Sequence, residues 1–238
     1  VSAHFVGKAL APKGGFRVLD MHCHILPSVD DGSPSMETTQ KMLTRARAAG
    51  IRAIVATPHY QDMSVSLTAI ERAYQLAEAA ARELRIKLYL GYEISHRIIL
   101  QAEPAQLARL CITGTDSLLI ELDEQRLFPK WEFVLSNLCE HYTPIIVHPE
   151  RFEYVQKDIA LVAEMKNYGC EVQLDAMGLT KGMMSPESRA AKKLLSRGLV
   201  DYIASDAHSP RDYDTFQAAR KKCGTQWPKD GILNDLLL

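Results

Sequence analysis

Residues 19–32 read LDMHCHILPSVDDG, with two histidines and three aspartates packed into and beside an apolar run. The run has the length and character of a strand, yet a buried ionisable group is costly unless it is paired or coordinated. By the two-residue period of a strand, Asp20, His22 and His24 fall on one face and Leu19, Met21 and Cys23 on the other. A polar face turned inward needs counter-charge, and dications provide it. Neutral imidazole with carboxylate is the ligand set of Zn²⁺, Mn²⁺ or Fe, and the shortage of thiolates argues against a structural zinc cage.

Working outward, the same pattern recurs along the chain. Strand-length apolar runs lie at 17–25, 52–59, 87–94, 116–124, 143–150, 170–176 and 200–208, mostly continuous in apolar character as strands covered on both faces are. Helical stretches separate them. Ser33 and Pro34 are expected to open the first helix and Gly50 to close it; Ser185, Pro186 and Gly198 repeat that signature. Thr68 with Glu71 makes a capping box ahead of the next helix. Residues 96–115 predict a helix plus an irregular connection, and the tail at 227–238 predicts a last helix burying Ile232, Leu233, Leu236 and Leu237. Repeated strand and helix indicate an α/β fold with parallel strands, and seven such units favour a closed barrel over an open doubly wound sheet. The whole of 17–238 reads as one domain.

A residue with metal-binding chemistry ends each unit: His24, His59, Glu93, Glu121, His148, Asp175 and Asp206. In a parallel barrel every strand's C-terminal end opens on one face, so these groups are expected to converge there. HxH at 22–24 offers two nitrogens to one ion, and Asp206 with His208 alternates in the same way. Spacing does not choose between Asp30 and Asp31, and Asp175 reads equally well as a helix cap.

Bulk properties exclude other classes. Among 238 residues, 47% hydrophobic and 24% charged content suits a globular protein, and a net charge of −1 gives no basis for binding nucleic acid or an anionic membrane. No apolar run reaches the roughly 18 residues of a membrane span, and no secretory leader is evident, so a cytoplasmic protein is expected. The five cysteines contain no CxxC and are read as reduced thiols. Residues 1–16 are read as a lead-in, flexible or an expression remnant, outside the fold argument.

With DMHCHILPSVDDG, ATPH, GYEI, IELDE, VHPERF and SDAH in this order, the chain resembles the polymerase and histidinol phosphatase (PHP) superfamily. Within it, the sequence is most similar to the bacterial metal-dependent protein tyrosine phosphatases of capsule and exopolysaccharide gene clusters. DDG after HxH, together with HPER, carries that narrower likeness, which spans Arg17 to the end. The resemblance implies a distorted seven-stranded (β/α) barrel with three divalent metal ions, commonly manganese, with iron or zinc as alternatives. It implies a first metal on His22, His24 and Asp206, Glu93 bridging to a second on Glu121 and His148, and a third on Asp31, His59 and His208. Arg151 of HPER would contact phosphate. The implied substrate is phosphotyrosine in the tail of a bacterial tyrosine kinase that controls polysaccharide export.

The chain departs from the family pattern at one place. Where an arginine often stands five residues beyond the final histidine there is Tyr213, and Arg211 is the available substitute. Tyr60, Phe128, Phe152 and Tyr154 follow strand ends, and Tyr60 and Phe152 are candidates to wall an aromatic substrate pocket, with loop packing as the alternative. A cysteine-dependent phosphatase would need CxxxxxR, but Val29, Ser117, Ile145, Ala176 and Lys229 stand six after the cysteines. The rival readings are a small-molecule phosphatase acting on histidinol phosphate, a metal-dependent amidohydrolase on the same scaffold, or a non-catalytic metal-binding module.

Overall fold

The structure is a computed structural model and describes residues 18–182 and 184–228. In chain order its elements are β1 (Val18–Cys23), α1 (Met36–Ala48), β2 (Ile51–Ala56), β3 (His59–Tyr60), α2 (Leu67–Glu83), β4 (Lys87–Leu90), β5 (Glu93–Ser95), α3 (His96–Ile99), α4 (Pro104–Ala108), β6 (Ser117–Glu121), α5 (Trp131–Cys139) and β7 (Thr143–Val147). A 3-10 turn at Pro149–Arg151 leads to α6 (Glu153–Lys157), α7 (Ala160–Asn167), β8 (Glu171–Asp175), α8 (Ala176–Thr180), α9 (Pro186–Ser196), β9 (Tyr202–Ala204) and α10 (Asp212–Cys223).

The fold is mixed α/β with parallel pairing throughout: one sheet runs β1-β2-β4 and the other β3-β5-β6-β7-β8-β9. A closed seven-stranded barrel is not what forms, and three local features account for this. Pro58 has no amide hydrogen to offer, so the second strand run divides into β2 and β3. Gly91 divides β4 from β5, where a Cβ would sit 3.0 Å from Ile112 Cγ1 and 3.1 Å from Val55 Cγ1. Between β9 and β1 the only pairing among the described residues is an isolated bridge, Cys23 with Ala207, because Asp206 turns left-handed (φ 46°) where a ladder would begin.

Strict alternation in β1 also fails. Asp20 pairs with Ile54 and Cys23 with Ala56, so three residues on β1 span two on β2, a bulge. Met21 accordingly joins an inner cluster with Val55, Leu119, Ile145 and Val147, whereas Cys23 packs in the outer cluster with the helix-facing residues Ile54, Ile120 and Ile146. Asp20 takes no part in the histidine face; its carboxylate accepts from Ser205 N at 2.9 Å and Ser205 Oγ at 2.6 Å.

Helix ends follow from capping hydroxyls, two of them shifted from expectation. Ser35, not Ser33, caps α1 by accepting from Thr38 N, because the Ser33 hydroxyl is buried and bonded to Thr39 Oγ1 and Ser35 O. Ser66, two residues ahead of Thr68, caps α2. Ser185 with Pro186 opens α9 as expected, and Gly50 and Gly198 end α1 and α9 with positive φ. The expected burial of Ile232, Leu233, Leu236 and Leu237 and the lead-in at 1–16 lie outside the described residues. No helix among the described residues is long and apolar enough to cross a membrane.

Candidate metal centre

The C-terminal ends of the strands carry the polar residues upward from the inner apolar cluster. His22 lies in β1 and His24 just beyond it, His59 opens β3, Glu93 opens β5, Glu121 closes β6, and His148 follows β7. Asp206 and His208 follow β9, and Asp31 hangs on the loop after β1. His22, His24, Glu93 and His148 are each at most 1% exposed, whereas the side chains of His59, Glu121 and His208 keep 21–33% of their surface and Asp31 keeps 70%. A buried floor thus opens through a half-exposed rim.

The ring nitrogens and carboxylate oxygens meet tightly. Glu93 Oε2 lies 3.4 Å from His22 Nε2, 3.2 Å from His24 Nε2 and 2.9 Å from His59 Nδ1, while Glu93 Oε1 is 2.7 Å from His148 Nε2. Asp206 Oδ1 lies 3.4 Å from His22 Nε2 and 3.2 Å from His24 Nε2. Asp31 Oδ1 is 3.4 Å from both His59 Nε2 and His208 Nε2. Four overlapping groups have spacing suited to a cation: His24, Asp31, His59 and His208; His22, His24 and Glu93; His22, His148 and Asp206; and His59, Glu93 and Glu121. The first contains the expected trio with His24 added. Glu121 and His148 fall into different groups, although His148 Nε2 is 3.9 Å from Glu121 Oε1.

Two oxygens at the centre, Glu93 Oε2 and Asp206 Oδ1, are buried without a hydrogen-bond donor of acceptable geometry. Orphaned acceptors ringed by imidazoles are costly unless a cation sits among them, so the donor set fits divalent metal. The charge balance agrees. Burial opposes charge on His22, yet Glu93 and Asp206 outweigh it and push the group up to about 9. Burial likewise opposes ionisation of Glu93, but the neighbouring histidines hold it well below the usual carboxylate range.

Gln173, which the sequence did not single out, and Asp30, left open there against Asp31, orient these groups. Gln173 Oε1 lies 2.9 Å from His22 Nδ1, and Asp30 Oδ2 lies 2.8 Å from His24 Nδ1, so each ring presents Nε2 to the centre. Asp30 also accepts from Gly32 N at 3.0 Å and His59 N at 3.2 Å, which separates its role from that of Asp31. Gly32 is required because a Cβ there would overlap the His24 carbonyl and Cβ. A polar residue inside an apolar strand, as in EVQLD, was the available signal for Gln173. His148 and Asp206 both hold positive φ, 34° and 46°, conformations that non-glycine residues keep only where surrounding structure enforces them.

Arg151 reaches the centre from the 3-10 turn. Its Nη2 donates to Asp175 Oδ2 at 2.6 Å and to Asp206 Oδ2 at 2.5 Å, and the side chain stays 28% exposed. Asp175 also accepts from Met177 N as the cap of α8. Arg211 is exposed at the start of α10, and Tyr213 is buried with its hydroxyl 3.0 Å from Cys23 Sγ, so Tyr213 does not occupy an arginine-like position at the mouth. The aromatic wall does not form as expected: Phe152 is fully buried and stacks on Tyr154, and Tyr60 is 5% exposed and packs edge-on to Tyr92. Phe152 and Tyr60 both belong to the outer apolar cluster, with the Phe152 ring also in T-shaped contact with His148 at 6.1 Å.

A parallel α/β scaffold with a histidine and carboxylate cluster at its strand ends, and an arginine beside it, has the donor set of a divalent-metal site. The sequence profile of the family described as capsular polysaccharide synthesis, CpsB/CapC, matches residues 18–229, and the chain belongs to that family. It is 28% identical to the tyrosine-protein phosphatase YwqE of Bacillus subtilis over 89% of this chain and 87% of the relative. It is 27% identical to the tyrosine-protein phosphatase CpsB of Streptococcus pneumoniae over 90% and 94%. A solved structure from work on YwqE and CpsB, described as unique metal-dependent tyrosine phosphatases, superposes with a TM-score of 0.74 at 26% identity, covering 86% of this chain and 87% of the other. Histidinol phosphate phosphatase from Lactococcus lactis matches at TM-score 0.56 and 15% identity, a likeness of fold.

Proposed function

We propose that this protein is a metal-dependent hydrolase of phosphotyrosine in proteins. The observation that carries the reading is the pair of orphaned buried oxygens, Glu93 Oε2 and Asp206 Oδ1, at the point where β1, β3, β5, β6, β7 and β9 deliver imidazoles and carboxylates. His22, His24, Asp31, His59, Glu93, Glu121, His148, Asp206 and His208 would hold three divalent ions, with manganese the expected metal. When bound, the cations neutralise the phosphoryl group and acidify water.

The chain's own residues do the rest. Arg151 binds the phosphoryl oxygens: both of its bonds to carboxylates run through Nη2, which leaves the other guanidinium donors to face an oxyanion. Asp175 keeps that guanidinium aimed, and Arg211 supplies a second positive charge from the start of α10. The leaving phenol has a pKa near about 10, so it departs with little proton assistance. The half-exposed rim of His59, Glu121 and His208 admits a side chain presented on a flexible peptide. The substrate we assign is the phosphorylated tail of a bacterial tyrosine kinase governing capsule or exopolysaccharide export, met in the cytoplasm.

The test is phosphate release by manganese-loaded protein from a phosphotyrosine peptide, a phosphoserine peptide and histidinol phosphate. Preference for the first by a hundredfold or more in kcat/KM is expected. Preference for histidinol phosphate would replace this reading with a small-molecule phosphatase.

A further inference from the structure

All five cysteines are free, but two that stand 31 residues apart in sequence meet in space: Cys139 Sγ lies 3.8 Å from Cys170 Sγ. Cys139 ends α5 and is partly exposed; Cys170 precedes β8 and is 3% exposed. Gly169 lies against Cys139, with a φ of +110° that side-chain-bearing residues rarely adopt; a Cβ there would be in van der Waals contact with Cys139 Cβ at 3.4 Å. A disulfide needs the sulfurs at about 2.05 Å, so the pair has to close in from the 3.8 Å of a thiol–thiol contact.

We propose that Cys139 and Cys170 form a redox modification site, in which a peroxide joins them in a reversible disulfide that ties α5 to β8. The Cys139 sulfur attacks one peroxide oxygen, the O–O bond breaks, and the first water leaves as Cys139 becomes a sulfenic acid. The Cys170 sulfur then attacks the Cys139 sulfur, the S–O bond breaks, and the second water leaves with the Cys170 proton. Two thiols are oxidised by two electrons, and one peroxide is reduced to two waters. Cys139 is the better first nucleophile: it is the more accessible, and the Cys170 S–H that bonds to it holds its thiol below the usual range.

The bond closes a loop containing β7, His148 and Arg151. It does so from the far side of the sheet, because the cysteines precede β7 and β8, whose opposite ends carry His148 and Asp175. A five-residue strand separates the two faces by about 16 Å. Oxidation is therefore a lock on the fold and leaves the centre intact, and it holds whether or not the substrate assigned above is correct.

The experiment exposes the metal-loaded protein to hydrogen peroxide in slight molar excess, digests it without reductant and measures peptide masses, with thermal unfolding in parallel. A peptide pair joined through Cys139 and Cys170, released by dithiothreitol, and an unfolding midpoint raised by about 5 °C or more are expected. Cys139→Ser and Cys170→Ser should each abolish both. Cys139 carrying extra oxygen with no partner, pairing with another cysteine, two thiols left free, or a linked protein that melts no higher would each overturn the proposal.

Discussion

His22 can serve a metal because Gln173 occupies Nδ1 and leaves Nε2 facing the centre, and the same logic joins Asp30 to His24. The HxH pair was legible in the two-residue period of a strand, whereas HPER took its meaning from the family resemblance alone. Gln173 was not legible, since its partner stands 151 positions away and only the folded sheet brings them together. Arg151 is the residue whose loss should cost most without disturbing the fold. Arg151→Ala is expected to lower kcat/KM by about 10²- to 10³-fold, as removal of one charge-stabilising donor does, with an unchanged circular dichroism spectrum; activity within threefold of the parent would exclude it from phosphate contact.

Glu150, beside it, is a different case. Burial raises its carboxyl to about 8, with Asp175 adding to the effect, and Oε2 has no partner. The folded state therefore holds a proton that the unfolded chain releases near the ordinary carboxyl value of 4.5, so this stabilisation is complete below 4.5 and is lost as pH rises through 8. Glu150→Gln keeps an amide oxygen to accept from Asp175 N and removes the charge. Its unfolding midpoint should exceed the parent's at pH 9, with the gap closing by pH 5; an equal gap at both would show that Glu150 is ionised throughout.

At the scale of elements, apolar runs and Ser-Pro or glycine punctuation located strands and helices well, because they are local properties. The caps of α1 and α2 slipped by two residues where a neighbouring serine competed for the same role. Strict alternation failed in β1 because a bulge is set by the partner strand. The aromatic residues after the strands read as ambiguous because burial in the outer cluster is a tertiary outcome.

The join between β1 and β9 adds side-chain bonds to a single backbone bridge. Ser205 Oγ donates to Asp20 Oδ2 and accepts from Ala207 N at 3.1 Å, while Asp206 N donates to His22 O at 2.9 Å. Ser205 thus braces both sides of the left-handed Asp206. Ser205→Ala should destabilise the fold by about 1–3 kcal/mol, the cost of leaving buried partners unmet. The loss should be larger at pH 8 than at pH 5, because burial raises Asp20 to about 6 and it carries its charge only above that. Unfolding in denaturant at the two pH values measures this, and a loss that does not depend on pH would remove Asp20 from the brace.

For the whole molecule, the number of strand runs and the convergence of their ends were readable from spacing, whereas closure was not. Pro58, Gly91 and the Asp206 turn interrupt hydrogen bonding at three places, yet the strand ends still meet around Glu93, because packing against the helices and the inner cluster holds the strands side by side. Asp31 shows the limit of spacing most clearly: sequence geometry left it equal to Asp30, and only the loop conformation directs one carboxylate to His59 and His208 and the other to His24.

An anomalous-difference map from crystals grown with Mn²⁺ tests this convergence most directly. Peaks enclosed by His22, His24, Glu93, His148 and Asp206 on the buried floor, and by Asp31, His59 and His208 at the rim, are predicted. A map with no peak touching Glu93 Oε2 or Asp206 Oδ1, in protein that hydrolyses phosphotyrosine, would contradict the account.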